Sequence, residues 1–338
     1  MEHAESLEGF CKKLPKIELH AHLNGSIRMS TIQELWDRKA DRSGDLPFLE
    51  AQKTKDFQSA FSMFSVIYQL VQGLDVIDRI TREVIEDFAK ENVIYVELRT
   101  TLKAYDDKTK LDYLDVVLKA MRETAALHNI EVNLLVSINR AESLENAMEA
   151  VELAVQRKDQ GVVGIDLCGN PVCGKFSELR PALEKARREG FKLTLHAAEI
   201  VNYGETQEIL DFSPERLGHA VFMTDDLKSQ LFSKKIPVEI CITSNIKSQS
   251  CDGPLGHHFG EFYRKSHPII LCTDDMGVFC TSVSQEFSIV GDTFQLGREE
   301  LYDLSLSSID CSFASEASKE TFRRRMRESR TSLGLENK

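Results

Sequence analysis

Five times along 338 residues, a short apolar run closes on side chains that bind metals or move protons. Ile17-Glu-Leu-His20-Ala-His22 is the first such segment, and Leu193-Thr-Leu-His196-Ala-Ala-Glu199 the second. Arg216-Leu-Gly-His219, Val238-Glu-Ile-Cys241-Ile-Thr-Ser-Asn245 and Ile269-Ile-Leu-Cys-Thr-Asp274-Asp275 follow. Near-continuous apolar runs of this length are the mark of strands buried on both faces, as in parallel sheets. Reactive groups placed just beyond five such strands predict one site at one end of a parallel sheet.

The rest of the chain fits that sheet. Strand-like runs at 16–19, 93–99, 132–138, 162–167, 191–195, 216–217, 238–242 and 269–272 alternate with helical patterns at 110–129, 143–159, 176–189, 205–211, 225–233 and 260–266. About eight strands separated by helices predict an α/β fold of the (β/α)8 TIM-barrel type. A helical insertion is expected between strands one and two. It comprises a helix at 29–39, a polar loop at 41–46, a helix at 56–72 and another at 75–91. Phe57, Phe61, Phe64, Ile67, Tyr68 and Val71 recur at helical spacing within the third of these pieces. Asn24-Gly-Ser26 reads as a turn, with Ser26 a candidate N-cap. Residues 1–16 read as a lead-in, and helices at 284–294, 298–307 and 318–327 follow the last strand. The tail beyond Arg327 is polar and is expected to be frayed. No internal repeat or low-complexity stretch divides the chain, so one catalytic domain over 1–338 is expected.

Composition excludes several classes of function. With 42% hydrophobic residues the chain can bury a large core, and its net charge of −12 suits neither nucleic acid nor an anionic membrane surface. No apolar run approaches the ~20 residues of a membrane span. The opening Met1-Glu-His-Ala-Glu-Ser lacks the basic-then-apolar pattern of a secretory signal. Eight scattered cysteines with no C-x-x-C point to reduced thiols, and Cys241 and Cys272 sit in core-like runs. A cytoplasmic monomer acting on a small molecule is the expectation.

In a strand, residues two apart point the same way, so His20 and His22 can share one metal. His196 and Asp274 complete a set of three imidazoles and a carboxylate. Such nitrogen and oxygen donors, with room left for water, suit a catalytic divalent ion, and zinc is the expectation. A metal of this kind lowers the pKa of bound water from ~15.7 toward ~7. Glu199 and His219 are then left as acid/base candidates. Taken singly these signals are weak: a lone histidine on an apolar run more often packs in a core, and Asp274-Asp275 alone more often caps a helix or sits in a solvated turn. Lys12-Lys13 and Arg323-Arg324-Arg325 read as solvated faces.

Together the motifs resemble the adenosine deaminase family. The resemblance is carried by Pro15-Lys-Ile-Glu-Leu-His-Ala-His-Leu-Asn-Gly25, Gly164-Ile-Asp-Leu-Cys-Gly169, His196-Ala-Ala-Glu199, Arg216-Leu-Gly-His219, Thr243-Ser-Asn245 and Thr273-Asp-Asp275. It implies a zinc-dependent barrel with one Zn2+ per chain that removes the 6-amino group of adenine nucleosides. It further implies His20, His22, His196 and Asp274 as ligands and Glu199 as the proton donor to the ring nitrogen beside carbon 6. By the same resemblance His219 orients or deprotonates the attacking water, Asp275 contacts the purine, and the backbone at Gly169 helps hold it. The H-x-x-E spacing of His196 and Glu199 differs from the H-x-E with P-C-x-x-C of the other zinc deaminase class.

Two departures point to the adenosine deaminase-like branch, whose members deaminate N6-methyl-AMP. Asn24 stands where typical members carry Asp, and an amide, unlike a carboxylate, does not repel a 5′-phosphate. The stretch Thr243-Ser-Asn-Ile-Lys-Ser-Gln249 with His257-His258-Phe259-Gly260 resembles the same branch. Thr100, Thr101 and Lys103, after the second strand, offer hydroxyls and a cation for phosphate. Tyr68 and Asn139 stand where that branch often carries His and Asp, and they join the expected substrate-binding set. Three alternatives remain beside this one. One is a plain adenosine deaminase. Another is a two-metal amide, lactone or phosphotriester hydrolase, disfavoured because Asp166-Leu-Cys168 ends strand four without a bridging lysine. The last is a non-catalytic relative, disfavoured because Glu199 and every expected ligand are present.

Overall fold

The structure, a computed structural model, describes residues 6–39 and 57–336. Eight parallel strands follow one another in order: β1 Lys16–His22, β2 Val93–Thr100, β3 Glu131–Asn139, β4 Val162–Cys168, β5 Lys192–Ala197, β6 Arg216–His219, β7 Val238–Ile240 and β8 Ile269–Leu271. The ring closes through the residues that the site needs. Asp274 N donates to His20 O and His22 N donates to Asp274 O, each at 2.9 Å, which ties β1 to the chain leaving β8. This is the (β/α)8 barrel, and the helices Met29–Arg38, Phe57–Leu70 and Leu74–Lys90 form the insertion between β1 and β2.

Local chemistry sets the outer helices. Ser143, Thr224, Ser282 and Ser315 each accept a backbone N–H at a helix start. Thr109 and Asp112 form a reciprocal capping box ahead of Lys110–His128. Inward faces of these helices, such as Ile77, Ile80, Val84 and Phe88, pack on strands that are buried along almost their whole length.

The barrel interior is charged. Glu97 and Arg99 of β2, Asp166 of β4, Arg216 of β6 and Glu239 of β7 are fully buried and in mutual contact. Arg216 bridges Glu97 (2.5 Å) and Glu239 (2.6 Å), and Arg99 bridges Glu239 (2.9 Å) and Asp166 (3.2 Å). Each charge has an opposite partner at hydrogen-bond distance, the condition under which ions survive burial.

Some local expectations are corrected. Ser26 does not cap a helix; the chain makes a turn there and the helix starts at Met29 behind Arg28, without a side-chain cap. β7 stops at Ile240, and Ile242–Lys247 is a short helix rather than strand and loop, because six residues are too few to show a helical period. The last helix runs Glu316–Ser329, and the tail is anchored. Arg330 donates to Glu299 at 2.8 Å, while Leu333 and Leu335 are buried. Lys12, Lys13 and Arg324 are exposed, and Cys241 and Cys272 are buried thiols, as expected, whereas Arg323 and Arg325 are half-buried, donating to Asp310 and to Asn129 O. The polar loop at 41–46 and the first five residues lie outside the described residues.

Candidate active site

The C-terminal ends of the strands surround a cavity of about 320 Å³. His22 from β1, His196 from β5, His219 from β6, Asp274 and Asp275 after β8, and Glu199 after β5 all face it. His20 lies just beneath, fully buried. Three of these positions depend on strand-end turns that non-glycine residues rarely adopt. Ala198 (φ 54°), His219 (φ 64°) and Asp274 (φ 63°) are left-handed, a backbone cost that concentrates at functional sites.

The expected metal ligands are brought to one focus. His20 Nε2 and His22 Nε2 lie 3.2 and 3.4 Å from Asp274 Oδ1, and His22 Nε2 lies 3.2 Å from His196 Nε2. His219 joins them: one ligand atom each from His20, His196, His219 and Asp274 falls within 4.8 Å of the others. The residues fit a cation on their own chemistry. His20 Nδ1 is bound by Glu239 at 2.7 Å, leaving a buried Nε2 with no hydrogen-bond partner. Nδ1 of His196 is likewise taken, by Asp166 at 3.0 Å and Leu167 O at 2.9 Å. This is the arrangement in which outer carboxylates aim imidazoles at a metal. Burial and Arg99 push the pKa of His20 down, but Asp274 and Glu239 outweigh them and lift it to about 9. The surroundings of that nitrogen thus favour a positive charge. Burial would also raise Asp274, yet His20 and His219 hold it well below the usual carboxylate range.

Two acids stand apart from this focus. Burial pushes the carboxyl of Glu199 up, and its Oε2 has no partner. Its Oε1 is 3.8 Å from His219 Nε2. Burial, with the neighbouring charge of Asp274, raises Asp275 well above its ordinary value, and its Oδ1 has no partner. Glycine decides where Asp275 can sit. A Cβ on Gly25 would fall 1.5 Å from Asp275 Oδ1. Gly169 (φ 102°) turns the chain leaving β4 and presses against Asn139, 2.5 Å from where its Cβ would be.

The expected substrate contacts Asn24, Tyr68, Thr100, Thr101, Asn139 and Gly169 line the cavity together with His22 and Asp275. Lys103 is placed one step back from the wall, its Nζ 3.2 Å above the Tyr68 ring. Burial lowers its pKa to about 8. Sequence reasoning missed the residues that hold the site in place. Ser244 Oγ donates to Asp274 Oδ2 at 2.7 Å, and Glu239, Asp166 and Arg99 orient the histidines from below. Their signal was present as charged residues at two-residue spacing inside apolar strands, as in Glu97-Leu-Arg99 and Glu18-Leu-His20.

An eight-stranded parallel barrel with a buried acid and a histidine–aspartate focus at its strand C-termini defines a barrel hydrolase. Residues 15–329 match the family model described as Adenosine deaminase. The chain belongs to the adenosine deaminase family and is a hydrolytic deaminase acting on C–N bonds. It is 42% identical to the N6-mAMP deaminase of Arabidopsis thaliana, over 92% of this chain and 96% of that one. Against the N6-Methyl-AMP deaminase of Homo sapiens it is 36% identical, over 94% and 93%. A crystal structure of arabidopsis ADAL complexed with IMP superposes with a TM-score of 0.91 at 41% identity, covering 96% of this chain and 99% of the other. Among the described residues, no helix is long and apolar enough to cross a membrane.

Proposed function

We propose that this deaminase acts on purine ribonucleotides substituted at carbon 6, converting N6-methyl-AMP and water to IMP and methylamine, and that it holds one zinc ion per chain. The observation that carries the substrate reading is the 41% identity, over 96% of the chain, to a protein crystallised with IMP, the product of this reaction.

His20, His22, His196 and Asp274 are the proposed ligands, supported by their convergence and by the unpartnered Nε2 of His20. When bound, zinc supplies a Lewis acid and a water acidic enough to react at neutral pH. Attack at carbon 6 pushes electrons into the ring. Glu199, whose carboxyl is pushed up by burial, donates a proton to the ring nitrogen beside that carbon. Asp275, its carboxyl also pushed up, meets the purine, and the backbone at Gly169 lies against the same ring. His219 faces the opening and orients or deprotonates the attacking water. The water oxygen stays on carbon 6; one of its protons leaves on methylamine and the other restores Glu199. Asn24, Thr100, Thr101, Lys103, Tyr68 and Asn139 form the proposed sugar and phosphate end, where an amide and a cation replace a repelling carboxylate.

The test is a product assay with N6-methyl-AMP, AMP, N6-methyladenosine and adenosine, run beside elemental analysis of the purified protein. The expected result is highest kcat/KM on N6-methyl-AMP and about one zinc per chain. A preference for adenosine would return the chain to ordinary adenosine deamination.

A further inference from the structure

We propose that Tyr113, set behind the cavity wall, is a positioning residue for the 5′ end of the substrate: its phenol ties Thr100 and Asn24 together and so fixes the hydroxyl and the amide that meet the phosphate. The role rests on the ribonucleotide reading above.

Tyr113 opens the inward stripe of the helix Lys110–His128. Tyr113, Leu114, Val117, Leu118 and Met121 recur at helical spacing and are buried against the barrel. The helix follows the loop that leaves β2, so its first turn stands beside the C-terminal end of that strand, where the cavity opens. For packing alone a phenylalanine ring would serve. What the tyrosine adds is one fully buried hydroxyl that needs a partner.

It finds two, and both are wall residues. Thr100 Oγ1 lies 2.7 Å from the phenol oxygen. The side chain of Asn24 makes a second hydrogen bond to the same phenol. Thr100 and Asn24 line the cavity, whereas Tyr113 stands behind them. The two come from different parts of the chain, Asn24 from the turn after β1 and Thr100 from the end of β2. One phenol is thus the joint that holds them in a fixed relation. The neighbouring phenol is engaged elsewhere. Tyr105 stacks beside Tyr113 with ring centroids 6.3 Å apart, and it donates its hydroxyl to Val71 O at 3.2 Å.

A phosphate demands more of such a wall than a hydroxyl does. Its oxygens form a fixed tetrahedral array, and hydrogen bonds to a charged acceptor are roughly twice as strong as neutral ones. A 5′-hydroxyl both donates and accepts, and it rotates to suit what it meets. Without the phenol, Thr100 and Asn24 keep their polar atoms but lose their fixed aim. The loss falls on the monophosphate and largely spares the nucleoside.

Tyr113→Phe deletes the phenol oxygen and keeps the ring. Its kcat/KM on N6-methyl-AMP and N6-methyladenosine, and its affinity for IMP and inosine by calorimetry, are to be compared with the parent's beside a thermal melt. The ratio of N6-methyl-AMP to N6-methyladenosine should fall ~5-fold or more, mainly through KM. IMP should weaken by a similar factor while inosine stays within about twofold. Thr100→Val should lower the same ratio, and Thr100→Ser, which retains the hydroxyl, should keep it. Joined in one chain, Tyr113→Phe and Thr100→Val should lower the ratio by less than the product of their separate effects, because the phenol acts through the threonine. An unchanged ratio in Tyr113→Phe, or effects that multiply in full, would overturn the proposal. A parent that prefers N6-methyladenosine and binds IMP no tighter than inosine would end the ribonucleotide reading itself, and this role with it. A parent that favours the monophosphates, with a Tyr113→Phe loss shared equally by both substrates, would make Tyr113 a packing residue and end this role alone.

Discussion

At the scale of single residues, the proposed roles separate groups that hold from groups that react. Glu199 touches neither an ion-pair partner nor solvent through Oε2, and burial pushes its carboxyl up. Glu199→Gln preserves shape and removes that proton. Since acid/base help is worth typically ~10²–10⁴, turnover should collapse by that factor while zinc content and the thermal melt stay at parental values. Turnover within threefold of the parent would make Glu199 a bystander. Asn24 tests the other end of the substrate. Asn24→Asp places a carboxylate against the proposed phosphate, and at ~4 Å with an effective dielectric near 20 each pair of unit charges costs about 4 kcal/mol. Even after relaxation, the ratio of kcat/KM on N6-methyl-AMP to that on N6-methyladenosine should drop ~10-fold or more. An unchanged ratio would place the phosphate elsewhere. Both residues were legible in the sequence because each stands in a short motif. His257 and Asn245 were legible only as a resemblance, since a hydrogen-bond chain across a 12-residue gap leaves no period to read.

At the scale of elements, what matters is how turns meet. The turn after β1 and the segment after β8 interlock: Gly277 N and Val278 N both donate to Gly25 O at 3.0 Å, and Asp275 occupies the space where Gly25 has no Cβ. Gly25→Ala forces one of the two turns to move. Overpacking of this kind costs about 1–3 kcal/mol, and a displacement near 1 Å at a reacting group can cost ~10² in rate. The variant should therefore lose at least ~30-fold in kcat/KM while still folding, read by steady-state kinetics beside a thermal melt. A near-parental rate would show that Asp275 needs no such fixing. The sequence showed Gly25 as a turn glycine but not the partner that requires it. Nor did it show the helix Ile242–Lys247, whose Ser244 reaches Asp274.

At the scale of the whole molecule, the proposed ligands come from β1, β5 and the segment after β8, so a bound ion ties together strands far apart in the chain. Anything bound only by the folded state stabilises it by linkage, about 2.7 kcal/mol at a hundredfold excess over Kd. Removing zinc with a chelator should lower Tm by several degrees. His196→Ala, lacking a ligand, should retain little zinc and show no further drop with chelator. A parental Tm indifferent to chelation, or full zinc in His196→Ala, would refute the ligand set.

Periodicity determined the architecture in advance. Apolar runs separated by helical patterns left little but a parallel barrel, and the motifs at their ends named His20, His22, His196, Glu199, His219, Asp274 and Asp275. These are properties of short stretches, set by which face of a strand or helix a residue occupies. What the sequence could not contain is pairing across the barrel. That Glu239 holds His20, that Asp166 holds His196, that Arg99 joins those two carboxylates, and that Asn245 fills the second nitrogen of His219 are contacts between residues 26 to 219 positions apart. Only closure of the barrel brings them within 3.3 Å. Closure also removes the water that would otherwise satisfy each group alone, so the partners must be exchanged within the protein.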